Sequence, residues 1–358
     1  MKVIHLEGGF VRGQGITTSI ATLLKEINSR HNGITLEVLC NESNGVREDG
    51  LPPNVTVTQM ERRKFLGYHH FALYPELFRL AASDDKIVHI HNPTSVWPLL
   101  KKKGRRVITW HGNNNQNWNS PGFGSFPKRI LRRGFLDLST YMLRELDKVI
   151  TISDFLRNDL VNYFRLPSKL VERVYWGTDV DTFKPANVDG GYMLFVGRHV
   201  PYKGIQDLVD LSHELKFPLV VAGDGIEKDR LEEYAKQKGA PVKFMGKVPL
   251  SELIRLYQGC SFYITASRWE GFGLPLIEAG SSGKPVIAPD NSAHPEVVVD
   301  SKTGLIYRNK GELLAAAKSL VDDPIKRVDL GFAARAHVMQ KFDMHQTADR
   351  YMQIYRSL

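Results

Sequence analysis

Ten short apolar runs, many of them closed by a glycine, histidine or serine, punctuate this chain in two series. Val3-Ile4-His5-Leu6 reads as a buried strand, Gly8, Gly9, Gly13 and Gly15 follow, and Ile16 to Ile27 reads as a helix. Strand, glycine loop and helix form the first unit of a doubly wound α/β fold. Ile34 to Cys40, Lys86 to His91, Arg106 to Trp110 and Val149 to Ile152 repeat the strand signal, and Ser153-Asp154 reads as the cap of a following helix. Ligands of open parallel sheets bind beyond the carboxyl ends of strands, where His91, His111 and Ser153 all fall. After the polar stretch Asn187-Val188-Asp189-Gly190-Gly191 the pattern restarts. Tyr192 to Val196, Leu219 to Ala222, Val242 to Met245, Phe262 to Thr265 and Pro285 to Ala288 read as the strands of a second sheet.

A length of 358 residues agrees with two domains at roughly 100–200 residues each. A hydrophobic fraction of 42% excludes wholesale disorder. The two cysteines, Cys40 and Cys260, stand far apart, which excludes a disulfide framework and a cysteine zinc site and suits a reducing compartment. No apolar run approaches the roughly 18 residues of a membrane span, and Glu7 interrupts the opening too soon for a secretion signal. These features predict a cytoplasmic protein.

The formal net charge is +9, and nine cations with no acid between them occupy Lys101 to Arg133: Lys101, Lys102, Lys103, Arg105, Arg106, Lys128, Arg129, Arg132 and Arg133. Such a run is either a solvated face or a patch for an anionic partner. Phe126 to Leu146 reads as a helix with Lys128, Arg129, Arg132 and Arg133 on one side, a pattern that suits an anionic membrane surface. No helix-turn-helix, zinc knuckle or aromatic-studded strand accompanies the charge, so no nucleic acid is expected as partner.

The segment richest in chemistry is Glu270-Gly271-Phe272-Gly273-Leu274-Pro275-Leu276-Ile277-Glu278-Ala279. It follows a strand, which places Gly271 and Gly273 in a carboxyl-end loop with a helix starting near Pro275. Backbone N–H groups in such a loop and first turn bind phosphate oxygens. Glu278 falls about one turn inside the helix, where a carboxylate accepts two hydrogen bonds from a sugar or ribose diol.

This segment resembles the E-x7-E motif of retaining glycosyltransferases of the GT-B fold, glycosyltransferase family four. The resemblance extends through Gly197-Arg198 with Lys203-Gly204, Ala222 to Gly225, Phe244 to Val248, His294 to Val298 and Thr303 to Leu305, and more loosely through Gly13 to Gly15, Val88 to His91, Thr109 to Gly112 and Thr151 to Ser153. It implies two Rossmann-like domains facing each other across a cleft. The first, residues 1–185, would bind the acceptor and receive the terminal helix 344–358; the second, residues 186–343, would bind the nucleotide sugar. It further implies that Arg198 and Lys203 neutralise the donor diphosphate, that Glu270 lies near the transferred sugar, and that Glu278 grips the ribose. The backbone of Phe272, Gly273 and Leu274 would contact sugar and phosphate, Lys247 and Val248 would lie beside the base, and Gly197 would approach the donor. Gly13 and Gly15 would close over the diphosphate, and His111 would hydrogen-bond the donor sugar.

The implied reaction moves a hexose from a UDP- or GDP-sugar to a hydroxyl of a glycan or lipid-linked saccharide, with retention and without cofactor. The cation pair takes the place of a metal, and no Asp-x-Asp triplet is assigned to manganese. The first domain departs from the family at Arg12 to Thr18 and at the amides Asn113 to Asn117, which puts the acceptor's identity in doubt rather than the donor chemistry. Two other readings stay open. One is a nucleotide-sugar epimerase of the same fold. The other is a non-enzymatic anion- or nucleic-acid-binding protein.

Overall fold

The structure, a computed structural model, describes residues 1–7, 10–11, 15–40, 43–44, 51–59, 86–93, 95–96, 104–112 and 126–358. The chain divides into two compact units, Met1–Tyr175 with Met344–Leu358, and Trp176–Asp343.

The first unit is built on β1 (Lys2–Glu7), β2 (Thr35–Cys40), β3 (Thr56–Gln59), β4 (Lys86–Ile90), β5 (Arg105–Trp110), β6 (Lys148–Thr151) and β7 (Val171–Arg173). Their order across the sheet is β3-β2-β1-β4-β5-β6-β7, all parallel. The central strands are buried on both faces, which is why they read as continuous apolar runs. Helix α1 (Gly15–Arg30) turns Ile20, Leu23, Leu24 and Ile27 inward, the 3.6-residue spacing of one helical face. Helix α2 (Phe126–Tyr141) precedes β6, and a 3-10 turn, Met142–Glu145, ends the stretch read as one helix to Leu146.

The second unit holds β8 (Met193–Val196), β9 (Leu219–Ala222), β10 (Val242–Gly246), β11 (Phe262–Ile264), β12 (Val286–Pro289) and β13 (Gly304–Tyr307) in the order β10-β9-β8-β11-β12-β13, again all parallel. Met193, Phe195, Val221, Phe262, Ile264 and Ile287 from the strands pack with Leu208, Leu211, Leu231 and Leu320 from flanking helices. Each such side chain contributes roughly 1.5–3 kcal/mol on full burial. In both sheets the strand order reverses beside the unit's first strand, which makes that carboxyl edge the place for a ligand.

The boundary differs from the one expected at residue 185. Trp176 to Pro185 already belongs to the second unit, because Arg335 on α5 (Pro324–Lys341) donates to the carbonyls of Val180, Phe183 and Ser281. Asn187 to Gly191 is therefore a loop inside that unit rather than the linker, and Asp189 is held there by Arg327 at 2.8 Å. The terminal helix α6 (Met344–Ser357) lies in the first unit, where Asp349 pairs with Arg30 and His31 of the α1 end. Within these two sheets the sequence does not announce β3 and β7, which are short edge strands, or β13, whose signal is only a Thr-Gly-Leu motif; nor does it announce the two-residue pair Phe10–Val11 and Ser43–Asn44.

Candidate active site

The second unit gathers most of the residues singled out from the sequence at the carboxyl edge of its sheet. After β8 the chain passes Gly197 and Arg198 into a 3-10 turn, Pro201–Lys203, and then into α3 (Ile205–Leu215). Gly204 joins turn to helix at φ +64°, and a Cβ there would lie 2.3 Å from the Ala266 carbonyl oxygen. Only glycine permits so close an approach in that left-handed conformation. The contact presses the turn onto the loop after β11, and the Arg268 N–H donates to the Tyr202 carbonyl at 2.8 Å to complete the clamp.

That clamp brings Lys203 and Glu270 together. The Lys203 ammonium donates to Glu270 Oε1, with both side chains more than four-fifths buried. Burial alone would raise the Glu270 carboxyl. The Lys203 charge, then His294 and hydrogen bonds from Lys203 and Ser267, outweigh it and hold the group below the ordinary carboxylate value. Glu270 is therefore an anion at neutral pH. Arg198 is exposed and donates to the Tyr202 hydroxyl at 2.8 Å.

Beyond Glu270, Phe272 is buried and meets Phe342 edge-on at 5.6 Å, anchoring the loop from below. Gly273 then turns into α4 (Leu274–Ser281) at φ +98°. A Cβ at this position would stand 2.7 Å from Leu276 Cδ1. Pro275 in the first turn fits because the missing N–H has no intrahelical partner there. The leading N–H groups of α4 thus begin beside Glu270, at the positively polarised end of the helix. Glu278 sits one turn further, half-buried, and accepts from the Tyr257 hydroxyl at 2.7 Å. Burial pushes its carboxyl up to about 7, against the opposing effect of that hydrogen bond. The two glutamates therefore differ: one is fixed as an anion by a lysine, the other titrates near neutrality.

Lys247 and Val248 follow β10, the lysine exposed and the valine half-buried. The Gly197 N–H donates to the Ala222 carbonyl and the Gly223 N–H to the Gly246 carbonyl, which aligns the loops after β8, β9 and β10 along one edge. His294 was noted in the sequence only as part of a motif. It is buried, its Nδ1 donates to the Asn291 carbonyl at 2.9 Å, and its charge would act on Glu270. It opens the helical turn His294–Val297 that follows β12, at the same sheet edge.

In the first unit His111 follows β5 and is half-buried, with Nε2 at 3.2 Å from His91 Nδ1. Burial lowers its pKa to about 4. Gly15 opens α1, and Gly13 lies outside the described residues, as do the amides 113–117 and the lysines 101–103. Lys128, Arg129, Arg132 and Arg133 are on α2; of their side chains only that of Arg133 is described, and it is exposed and 3.7 Å from Asp137. Behind His111 lies a group of three histidines, of which the sequence singles out only His91, as a strand-end residue. His5 and His89 are partners in register across β1 and β4, His91 is two residues further on the same face, and the three rings are buried together. Their register was the available signal. Among the described residues these three are the group whose ligand atoms lie close enough to hold a metal ion.

An Asp-x-Asp triplet, the one not assigned to manganese above, occurs at Asp179-Val180-Asp181. Asp179 accepts from the N–H groups of Asp181 and Thr182 and from the Thr182 hydroxyl, and Val180 is buried. The first carboxylate is thereby spent on a local turn. No helix among the described residues is long and apolar enough to cross a membrane.

Residues 179–337 match the family described as "Glycosyl transferases group 1", and residues 13–182 match "Glycosyltransferase Family 4". An uncharacterized glycosyltransferase of Methanocaldococcus jannaschii is 27% identical over 221 residues, 61% of this chain, and the match spans only 62% of that relative's length. Among solved structures, the sucrose-phosphate synthase of Thermosynechococcus elongatus superposes with a TM-score of 0.83 at 19% identity, over 100% of this chain and 98% of that one. The Anabaena protein Alr3699/HepE in complex with UDP-glucose superposes with a TM-score of 0.79 at 17% identity, over 100% of each chain.

Proposed function

The chain belongs to the glycosyl transferases group 1 and has the GT-B fold, and from this premise we propose that it is a retaining hexosyltransferase using a UDP- or GDP-sugar and no metal. The observation that carries the reading is the Lys203–Glu270 pair beside the first turn of α4. A departing nucleoside diphosphate gains negative charge as the bond to the sugar C1 breaks, and fixed cations and helix N–H groups aimed at it lower that barrier. Lys203 and Arg198 supply the charge, and the backbone of Phe272, Gly273 and Leu274 supplies the donors. Glu270 takes the sugar hydroxyls, Glu278 the ribose, and His111 the donor sugar. The loops at Gly197 and at Lys247-Val248 receive the diphosphate and base. The UDP-glucose in the Anabaena protein's complex supports a UDP-sugar as the first donor to try.

In the front-face course, the acceptor oxygen bonds to C1 on the side from which the phosphate oxygen departs. The acceptor's proton passes to that departing oxygen, so no protein nucleophile is required and the anomeric configuration is kept. Incubation with UDP- and GDP-sugars, with and without saccharide acceptors, tests the reading. Transfer that needs an acceptor and gives the α-linked product from an α-linked donor is the expected result; turnover of the nucleotide sugar alone would favour an epimerase. Activity is expected to persist in excess EDTA, since the cation pair supplies what a divalent ion supplies elsewhere. Loss with EDTA and recovery with manganese would remove the cation pair from this role.

The acceptor we infer is a lipid-linked saccharide reached from the cytoplasmic membrane surface. Helix α2 exposes Ile130, Leu138, Tyr141 and Arg133, and carries Lys128, Arg129 and Arg132 in its sequence. Exposed apolar side chains and cations on one helix suit an anionic bilayer, each cation contributing about 1 kcal/mol near the surface. Charge reversal at Lys128, Arg129, Arg132 and Arg133 is expected to abolish co-sedimentation with acidic vesicles, and reversal at Lys101 to Lys103 to weaken it less. A wild-type protein that ignores acidic vesicles at low salt would point to a soluble acceptor instead.

A further inference from the structure

The histidines behind His111 form a connected line. His5 Nδ1 lies 3.0 Å from His91 Nε2, and His91 Nδ1 lies 3.2 Å from His111 Nε2. His89 stacks on His91 at 4.4 Å and lies 4.8 Å from His5, but its own nitrogens are engaged elsewhere. Nδ1 meets the Tyr355 hydroxyl at 2.6 Å, and Nε2 meets Thr109 Oγ1 at 2.8 Å, which in turn meets the Tyr351 hydroxyl at 2.8 Å. Tyr351 and Tyr355, one turn apart on α6, close this second network. A metal on His5, His89 and His91 would have to take one nitrogen of His89 and one of His91 that are already paired, and would strand the Tyr355 hydroxyl or Thr109 Oγ1 in the core.

Burial keeps the line neutral. It lowers His5 to about 3 and His111 to about 4, and holds His89 and His91 well below the ordinary histidine value, with the neighbouring histidines adding to the effect on the latter two. A neutral imidazole has one N–H and one lone pair. Two N···N contacts in series therefore allow only two arrangements, each fixing all three rings together. In one, His5 Nδ1–H donates to His91, His91 Nδ1–H donates to His111 Nε2, and His111 carries its proton on Nδ1. In the other every proton is moved, and His5 must carry its proton on Nε2. His5 Nε2 is fully buried with no hydrogen-bond partner. An orphaned buried N–H is among the rarest defects in folded proteins, and an unused lone pair is tolerated better.

We propose that His5 and His91 are positioning residues that lock His111 as the Nδ1–H tautomer, so that it acts on the donor as a hydrogen-bond donor and not as a base. This deepens the assignment of His111 above and rests on that reading for its catalytic consequence. The consequence is specific. A neutral donor N–H suits a sugar hydroxyl oxygen or a phosphoryl oxygen, and its strength does not vary with pH near neutrality. His5, remote from the substrate by two rings, would influence transfer only through the tautomer that it enforces.

Two-bond ¹H–¹⁵N spectra of the full-length protein with ¹⁵N-labelled histidine at neutral pH test the proposal, with His111 assigned by its disappearance in His111→Gln. We expect His111 protonated on Nδ1 and bare on Nε2. His5→Phe keeps the ring volume and deletes the donor, and should release His111 to the Nε2–H form and lower kcat about tenfold with little change in donor KM. His5→Asn, whose amide nitrogen can take the place of Nδ1, should restore both tautomer and kcat. A wild-type His111 protonated on Nε2, or a His111 tautomer unmoved in His5→Phe, overturns the relay. Should His5→Phe fail to fold, the wild-type spectrum and His5→Asn still decide. Full activity in His111→Gln would remove His111 from the donor site while leaving the spectrum to judge the relay.

Discussion

Lys203→Ala is expected to lower transfer at least about a hundredfold, the loss of roughly 2.7–4 kcal/mol that follows removal of one donor from a developing oxyanion. The substitution acts on two links at once. In the unliganded protein it leaves Glu270 as a buried anion without its lysine, a defect that costs about 3–5 kcal/mol when one member of a buried pair is removed. In the reaction it removes a cation from the leaving phosphate. The double variant Lys203→Ala/Glu270→Gln separates them, because it deletes both charges and should recover most of the melting temperature of the wild type without recovering transfer. Lys203→Arg should fold well and still be impaired, since the longer planar guanidinium cannot take the ammonium's place in the turn below Gly204. Near-normal turnover in Lys203→Ala would take Lys203 out of the donor site altogether.

The second unit was the more legible from its sequence because its chemistry is local. Glu270, Gly273 and Glu278 lie on one loop and one helix, and the strand and helix signals on either side fix their geometry. The partner of Glu270 was harder to see. Lys203 was read as a phosphate ligand and Glu270 as a sugar ligand, and only the approach of Gly204 to the Ala266 carbonyl makes them touch. The unit boundary failed for a related reason. Composition marks Asn187 to Gly191 as a break, but membership is decided by the long-range bonds from Arg335 to Val180 and Phe183. The histidine line was least legible. His91 reads as a strand-end residue, but His5 and His89 read only as polar residues within apolar strands, and the meeting of the three depends on strand register and on tyrosines more than 250 residues away from His89. The Asp-x-Asp triplet illustrates the reverse, a pattern whose first carboxylate the fold uses for a turn.

Glu278 supplies the prediction with a pH axis. Its carboxyl titrates at about 7 because burial disfavours the charged form. The two ribose hydroxyls each need an acceptor, and the ionised carboxylate offers both oxygens while the protonated group turns one of them into a donor. The sign follows: above about 7 the free enzyme is ready for the nucleotide sugar, and as the pH falls through that value a growing fraction must first lose a proton. The kcat/KM for the donor should therefore decline below pH 7 with a limiting slope near one decade per pH unit, reporting the free enzyme. Bound ribose stabilises the anion and pulls the pKa down, so the kcat profile should break at a lower pH than the kcat/KM profile. Glu278→Ala should cost at least about a hundredfold in transfer at pH 8, from loss of charge-assisted contacts in a desolvated site. Glu278→Gln should be nearly as impaired and lose the acidic limb, because its amide does not titrate and offers the ribose one acceptor instead of two. A wild-type kcat/KM that is flat from pH 5.5 to 8, or an acidic limb that survives in Glu278→Gln, would assign the titration to another group and leave Glu278 as no more than the acceptor for the Tyr257 hydroxyl.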